Sequence, residues 1–185
     1  MKSDHMSEPD RKLADGTSPS SPGELFRRLE TLGIAATTVD HPAVFTVDEA
    51  KALRGTVTGR HTKNLFLRNK KGGMWLVVCL ADREIHLQTL AARLGAGRFS
   101  FGSPDRLMKF LGVTPGAVTP FAVVNDTGGH VRVVLDEALL AGDVLNFHPL
   151  VNTKTTSIRP DDLVCFLVSE NHTAEIVELA SRVRS

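Results

Sequence analysis

Between Asn146 and Ile158 the chain reads Asn-Phe-His-Pro-Leu-Val-Asn-Thr-Lys-Thr-Thr-Ser-Ile, which sets one histidine, two asparagines and four hydroxyl residues between apolar segments. An imidazole exchanges a proton near neutral pH, and amides and hydroxyls supply oriented hydrogen bonds, so the stretch has the composition of a site. Pro149 bars a helix directly after His148 and biases His148 toward extended backbone. The imidazole therefore stands at a strand end or on a loop, where functional residues concentrate. The competing reading is structural: His148 caps a turn and the Thr/Ser cluster satisfies local backbone groups.

Two further places carry chemistry. Lys63 precedes Asn64-Leu-Phe-Leu67 and so opens a strand, a rigid base from which a cation can reach across a cleft; most lysines are simply surface charges. Leu111-Gly-Val-Thr-Pro-Gly-Ala-Val-Thr-Pro-Phe121 joins a helix to a strand through Gly112, Pro115, Gly116 and Pro120. In such a stiff loop Gly116 can bring bare backbone close to a ligand, where amides hold an oxyanion or a carbonyl. Turning the chain is the plainer role for the same residues.

The elements that must position these residues follow an α/β order without repeats. Helical spacing covers Pro22 to Leu32, with Gly33 as its stop, and Thr37 to Asp40 is a short strand. Thr46 followed by Glu49 is a capping-box pattern that opens a helix to Leu53. His61–Arg68 and Met74–Leu80 flank Asn69-Lys-Lys-Gly-Gly73 as a hairpin, and Phe121–Asn125 and Val131–Leu135 flank Asp126-Thr-Gly-Gly129 as a second. Helices are expected over Leu87–Leu94, Ser103–Leu111 and Pro160–Val168, with a short helical piece near Glu137. Val144–Phe147 and Thr155–Ile158 read as strands, and Ala174–Leu179 as strand or helix. The fold class expected is α/β (α+β), a mixed, largely antiparallel sheet flanked by helices.

With 185 residues and 42% hydrophobic content the chain is long enough for one sizeable core. Residues 1–21 are expected to form a disordered tail, with Met1–His5 a cloning remnant ahead of Met6, and residues 22–181 a single domain. No long apolar run proposes a membrane span, and without a signal-peptide pattern a cytoplasmic home is the default. Cys79 and Cys165 both lie in apolar segments and are expected to be buried thiols. His61, His86, His130 and His148 lack paired metal-ligand spacing, so neither a metal nor a cofactor is expected. The net charge is only +1, yet Lys51, Arg54, Arg60, Lys63, Arg68, Lys70 and Lys71 fall in one acid-free segment of +7, which leaves −6 elsewhere. Such a segment suits an RNA backbone, though it would serve equally as a solvated face.

Thr62-Lys-Asn-Leu-Phe-Leu67, Gly112-Val-Thr-Pro-Gly-Ala-Val-Thr-Pro120 and Phe147-His-Pro-Leu-Val-Asn-Thr-Lys-Thr-Thr-Ser-Ile158, in that order and spacing, resemble the YbaK family of prolyl-tRNA-synthetase-associated editing domains. The resemblance spans roughly Pro22 to Glu178. Its free-standing branch, which clears alanine from mischarged proline tRNA, is the most similar; a sister group associated with proline reductase shares the motifs. The resemblance implies the YbaK editing-domain fold, with Lys63 as the family's essential lysine, Gly116 and Pro120 as the ends of its Gly-x-x-x-Pro loop and His148 as its motif histidine. It assigns Lys154 no role.

An aminoacyl ester is already activated, so positioning and oxyanion stabilisation matter more than a strong nucleophile. The resemblance then implies that Lys63 balances developing negative charge and that Gly116 and its neighbours donate to the carbonyl. His148 and Asn152 would order the loop or the terminal adenosine, and water would attack with help from the substrate's ribose hydroxyl. Candidate pocket walls are Val44, Phe45 and Val47, with Leu65 and Phe121 behind them, and the basic residues Lys51, Arg54, Arg60, Arg68, Lys70 and Lys71 would dock the tRNA. Implied partners are the acceptor end of tRNA(Pro) carrying a wrong amino acid and, transiently, prolyl-tRNA synthetase. A Cys- or Ser-specific deacylase and a non-catalytic tRNA or amino-acid sensor remain as alternatives, and either a monomer or a homodimer is compatible with the chain.

Overall fold

The computed structural model describes residues 11–43 and 47–179. A seven-strand path runs β1 (Thr37–Asp40), β7 (Lys154–Ile158), β6 (Leu145–Phe147), β2 (Arg60–Arg68), β3 (Met74–Leu80), β5 (Val131–Asp136) and β8 (Glu175–Val177); β4 (Ser100–Phe101) pairs β2 off this path. The pairs β1–β7, β6–β7, β2–β3 and β2–β4 are antiparallel, while β2–β6, β3–β5 and β5–β8 are parallel. The sheet is thus mixed and mostly antiparallel, as expected.

All seven residues of β3 are buried, because this strand has cover on both faces. Its even residues Met74, Leu76 and Val78 meet α1 (Pro22–Thr31), α4 (Pro104–Leu111) and α5 (Pro160–Ser169) through Leu25, Leu107 and Phe166. Its odd residues Trp75, Val77 and Cys79 meet α3 (Leu87–Arg93) through Leu90 and Ala91, together with Phe99. Strand alternation therefore builds two cores from one strand. The helix starts are local: Ser21 and Glu24 form a reciprocal capping box, and Ser103 caps α4 ahead of Pro104.

Three expectations are corrected. The second hairpin does not form: Pro120–Asn125 is a 3-10 helix, with Pro120 in its first turn and the Thr119 side chain accepting from the Phe121 amide. Val131–Asp136 instead pairs parallel with β3. Cys165 is exposed, since the helical period turns it outward from α5, whereas Cys79 is buried as expected. Residues 11–21 run as an irregular strap rather than a free tail. Leu13 is buried, the Ala14 amide donates to Lys109 O, and the Ser20 amide donates to Asn125 Oδ1 at 2.8 Å. Composition argued for disorder, but these few anchors suffice to hold the segment. The expected cap Thr46, and the rest of residues 1–21, lie outside the described residues.

Candidate functional site

β2 shares its outer edge between two partners. Arg60 and His61 pair with Leu145 and Asn146 of β6, and Leu67 and Arg68 pair with Phe101 and Ser100 of β4. Between them, residues 62–66 pair with no strand on that edge among the described residues. The Phe66 carbonyl accepts from the Gly102 amide and the Thr62 hydroxyl donates to Asn146 O, which brackets a notch at Lys63, Asn64 and Leu65. Asn64 Oδ1 is buried there with no hydrogen-bond partner among the described residues, and nothing in the sequence pattern singles this residue out.

Register places the two titratable candidates beyond one shared rung. Lys63 lies two residues past His61 on β2, and His148 follows directly on the end of β6, two residues past Asn146, so both stand just beyond the last parallel rung. Pro149 then turns the chain away, and Leu150 takes a left-handed backbone at φ 68°, a costly conformation for a branched residue. Asn146 fixes the approach: its Nδ2 donates to Thr58 O and its Oδ1 accepts from the Ser157 hydroxyl.

His148 Nδ1 lies 2.8 Å from Lys154 O, and a carbonyl only accepts, so Nδ1 carries the proton. Burial, foremost, and the neighbouring His41 push the His148 pKa down, and the Lys154 carbonyl only partly offsets them. The neutral ring leaves Nε2 as an acceptor. His41 stands with its ring centroid 6.1 Å from that of His148, its Nε2 at Thr155 Oγ1 and its Nδ1 at Pro42 O. Lys154 thus serves the site through its carbonyl, while its ammonium pairs with Asp40.

Lys63 is half-buried, and its ammonium donates to the Arg83 carbonyl in the connection from β3 to α3. Arg83 is itself anchored by an ion pair from Nε to the fully buried Asp136, 3.0 Å away. No hydrogen bond joins Lys63 to Gly116, His148 or Asn152 among the described residues. Gly116 sits at φ 90°, on an exposed turn, and a Cβ there would come within 3.9 Å of Asn152 Nδ2, so these two candidates do meet. Asn152 also lines a groove of about 460 Å³ between the strap at Pro19, the loop at Gly112 and Thr114, and Leu150. Pro120 is buried at the start of the 3-10 helix, and Leu65 and Phe121 are strand and core residues.

An apolar recess of about 380 Å³ adjoins His41, walled by Pro42, Ala43, Ala52 and Leu53 with Glu49 and Thr56 at its polar side. It lies against α2 (Val47–Arg54). Val44 and Phe45 fall outside the described residues, as do the side chains of Val47 and Arg54. Of the basic residues, Arg60 donates to Ala138 O and is half-buried, Lys51 is exposed on α2, and Lys70 and Lys71 are exposed in the β2–β3 turn. From Lys63 to Arg68 at the end of β2 the strand covers roughly 17 Å, with Lys70 and Lys71 in the turn beyond and Lys51 on α2, so the basic segment is split in space rather than gathered on one surface. Among the described residues no cluster of three or more His, Cys, Asp or Glu is set to hold a metal, and no helix is long and apolar enough to cross a membrane.

The chain is similar to known proteins over most of its length. A family model described as the aminoacyl-tRNA editing domain matches residues 41–166. The prolyl-tRNA synthetase associated domain-containing protein 1 of Bos taurus is 40% identical over 80% of this chain and 89% of its own. The prolyl-tRNA editing protein ProX of Acetoanaerobium sticklandii is 37% identical over 84% of this chain and 95% of its own. A crystal structure of a candidate trans-editing enzyme for prolyl tRNA synthetase superposes with a TM-score of 0.67 at 22% identity, over 89% of this chain and 99% of that one, and shares its fold. With more than half of its length matched by the family model and two relatives near 40% identity, the chain belongs to the aminoacyl-tRNA editing domain family.

Proposed function

We propose that the protein is a cytoplasmic trans-editing hydrolase that removes alanine from mischarged tRNA(Pro). The observation that carries the reading is the fork where β2 and β6 part, with the Lys63 cation on one branch and the neutral, Nε2-accepting His148 at the end of the other. The ProX relative is named as a prolyl-tRNA editing protein, which supports the prolyl system as the source of substrate. Water adds to the ester carbonyl, the carbon–oxygen bond to the terminal ribose breaks, and the ribose oxygen leaves with a proton, releasing alanine and free tRNA. His148 Nε2 accepts a hydrogen bond from the ribose hydroxyl or the attacking water. Lys63 swings from the Arg83 carbonyl to the charge that develops on the substrate, and the backbone amides around Gly116 receive the carbonyl oxygen. The recess beside His41 suits a small side chain, and the Glu49 carboxylate on its polar side suits an α-ammonium. A methyl group contributes only about 1–3 kcal/mol of discrimination, so contacts to the tRNA must add the rest.

Single-turnover deacylation of tRNA(Pro) charged separately with alanine, cysteine, serine and proline tests the reading. Alanine should be lost from the intact protein and retained with Lys63→Ala. Selective loss of cysteine or serine would replace the substrate, and full activity of Lys63→Ala would remove that residue from the mechanism.

A further inference from the structure

The structure gathers at one end of the sheet a set of cations that the sequence keeps apart. Arg68 pairs in register with Ser100 of β4, and the Asn69 side chain ties the β2–β3 turn to the next segment by donating to Ala96 O at 2.9 Å. Trp75 stacks edge-on against Phe99 at 4.9 Å, and Arg132, its partner across β3–β5, lies over the same indole at 5.5 Å. Residues 68–75, 95–102 and 130–132 thereby form one contiguous end. They hold Arg68, Lys70, Lys71, Arg98 and Arg132 and no aspartate or glutamate. All but the half-buried Arg68 are exposed. Phe101, 61% exposed, stands on β4 between this end and the unpaired notch at Lys63 to Leu65.

We propose that this end is the docking face for the acceptor arm of the RNA, distinct from the ester site. Five cations without an ion pair among the described residues fit a polyphosphate backbone, and an exposed ring beside them fits an unpaired base passing toward the notch. From Lys63 to Arg68 the strand covers about 17 Å, so an RNA whose terminal ribose sits at His148 reaches the cations with its next nucleotides. The Arg132 guanidinium, placed over the Trp75 ring, keeps its donors for a phosphate. The inference rests on the editing function proposed above, and its test separates the two.

The test uses the full chain with uncharged tRNA(Pro) and, separately, a short aminoacyl ester of adenosine. Arg98→Glu with Arg132→Glu should weaken tRNA binding by at least about tenfold and lower the salt slope by about 1–2. The same variant should cleave the short ester as the wild type does. Arg98→Lys with Arg132→Lys, which keeps the charge, should bind nearly normally, whereas a merely structural role for the stack would not be rescued. Phe101→Ser should weaken binding without changing the salt slope. Unaltered tRNA affinity and salt slope in the Glu variant would overturn the proposal, as would equal losses on tRNA and on the short ester. If the wild type cleaves neither substrate while the Glu variant still loses tRNA affinity, the editing reading fails and the docking face stands.

Discussion

Both ring nitrogens of His172 face acceptors: Nε2 lies 3.0 Å from Asp126 Oδ2 and Nδ1 lies 2.7 Å from Glu170 O. Neither partner can donate while Asp126 is ionised, so only the doubly protonated imidazole completes both bonds. Burial alone would lower the His172 pKa, yet the Asp126 and Glu170 bonds together raise it above the ordinary value. Burial would likewise raise Asp126, but bonds from His172, Val131 and His130 hold its carboxyl below the usual carboxylate range. The signs follow. The histidine's contribution is full below about pH 6.5 and fades as pH rises through the higher folded value; the aspartate's is full above about pH 4 and fades toward acid. Melting temperatures of wild type and His172→Gln, followed from pH 5 to 9, should therefore differ most near pH 5.5 and converge as pH rises. A constant gap would mean that His172 is neutral in the folded protein. Asp126 and His172 are 46 residues apart, and no spacing rule connects them, which is why the sequence singled out His148 and missed this pair. His148 was legible because Pro149 and the hydroxyl run mark it locally, while the proton on its Nδ1 depends on the Lys154 carbonyl six residues on.

At the scale of elements, α4 and the loop behind it show how one residue sets the approach to Gly116. Gly112 closes α4 in the left-handed region at φ 63°, and its amide donates to Met108 O. A Cβ there would meet Asn125 Nδ2 at 2.5 Å and Pro19 Cβ at 2.8 Å, so Asn125, Pro19 and the strap all close on a bare backbone. Gly112→Ala should cost at least about 1–2 kcal/mol from the backbone alone, and more from the contact, lowering the melting temperature by at least roughly 2–4 °C. A calorimetric scan checks this, and an unshifted transition would show that the strap yields freely. Such stops were readable, as were the hairpin at Asn69–Gly73 and the helix starts at Pro22 and Ser103, because helix ends and turns are short-range chemistry. The 3-10 helix at Pro120–Asn125 was misread because a short apolar run fits strand and helix alike. Its neighbour β5 lost its assumed partner for a different reason. The strand it pairs with, β3, begins 57 residues earlier, at Met74 against Val131, and only tertiary packing selects that pairing.

For the whole molecule, the shared central strand decides whether the two cores act as one. Leu76 belongs to the core beneath α1, α4 and α5, and Trp75, the single tryptophan, belongs to the core beneath α3. Adjacent residues of β3 thus report opposite faces of the sheet. Charge distribution follows the same logic at this scale: the +7 segment was visible in the sequence, but the sheet divides it between α2 and the far end of β2 and adds Arg98 and Arg132 to the latter. If β3 couples the faces, removing packing from one must destabilise the other equally. Leu76→Ala, at a fully buried position, should cost about 2–5 kcal/mol. In a denaturant titration the midpoint seen by Trp75 fluorescence, on the opposite face, should fall by as much as the midpoint seen by far-UV circular dichroism. A shift in the dichroism with the fluorescence midpoint unmoved would instead divide the protein into two independently unfolding layers. Cooperative loss would mean that the fork at Lys63 and His148 and the cationic end at Arg98 and Arg132 are held by one folding unit, so that a bound RNA meets both in fixed relation.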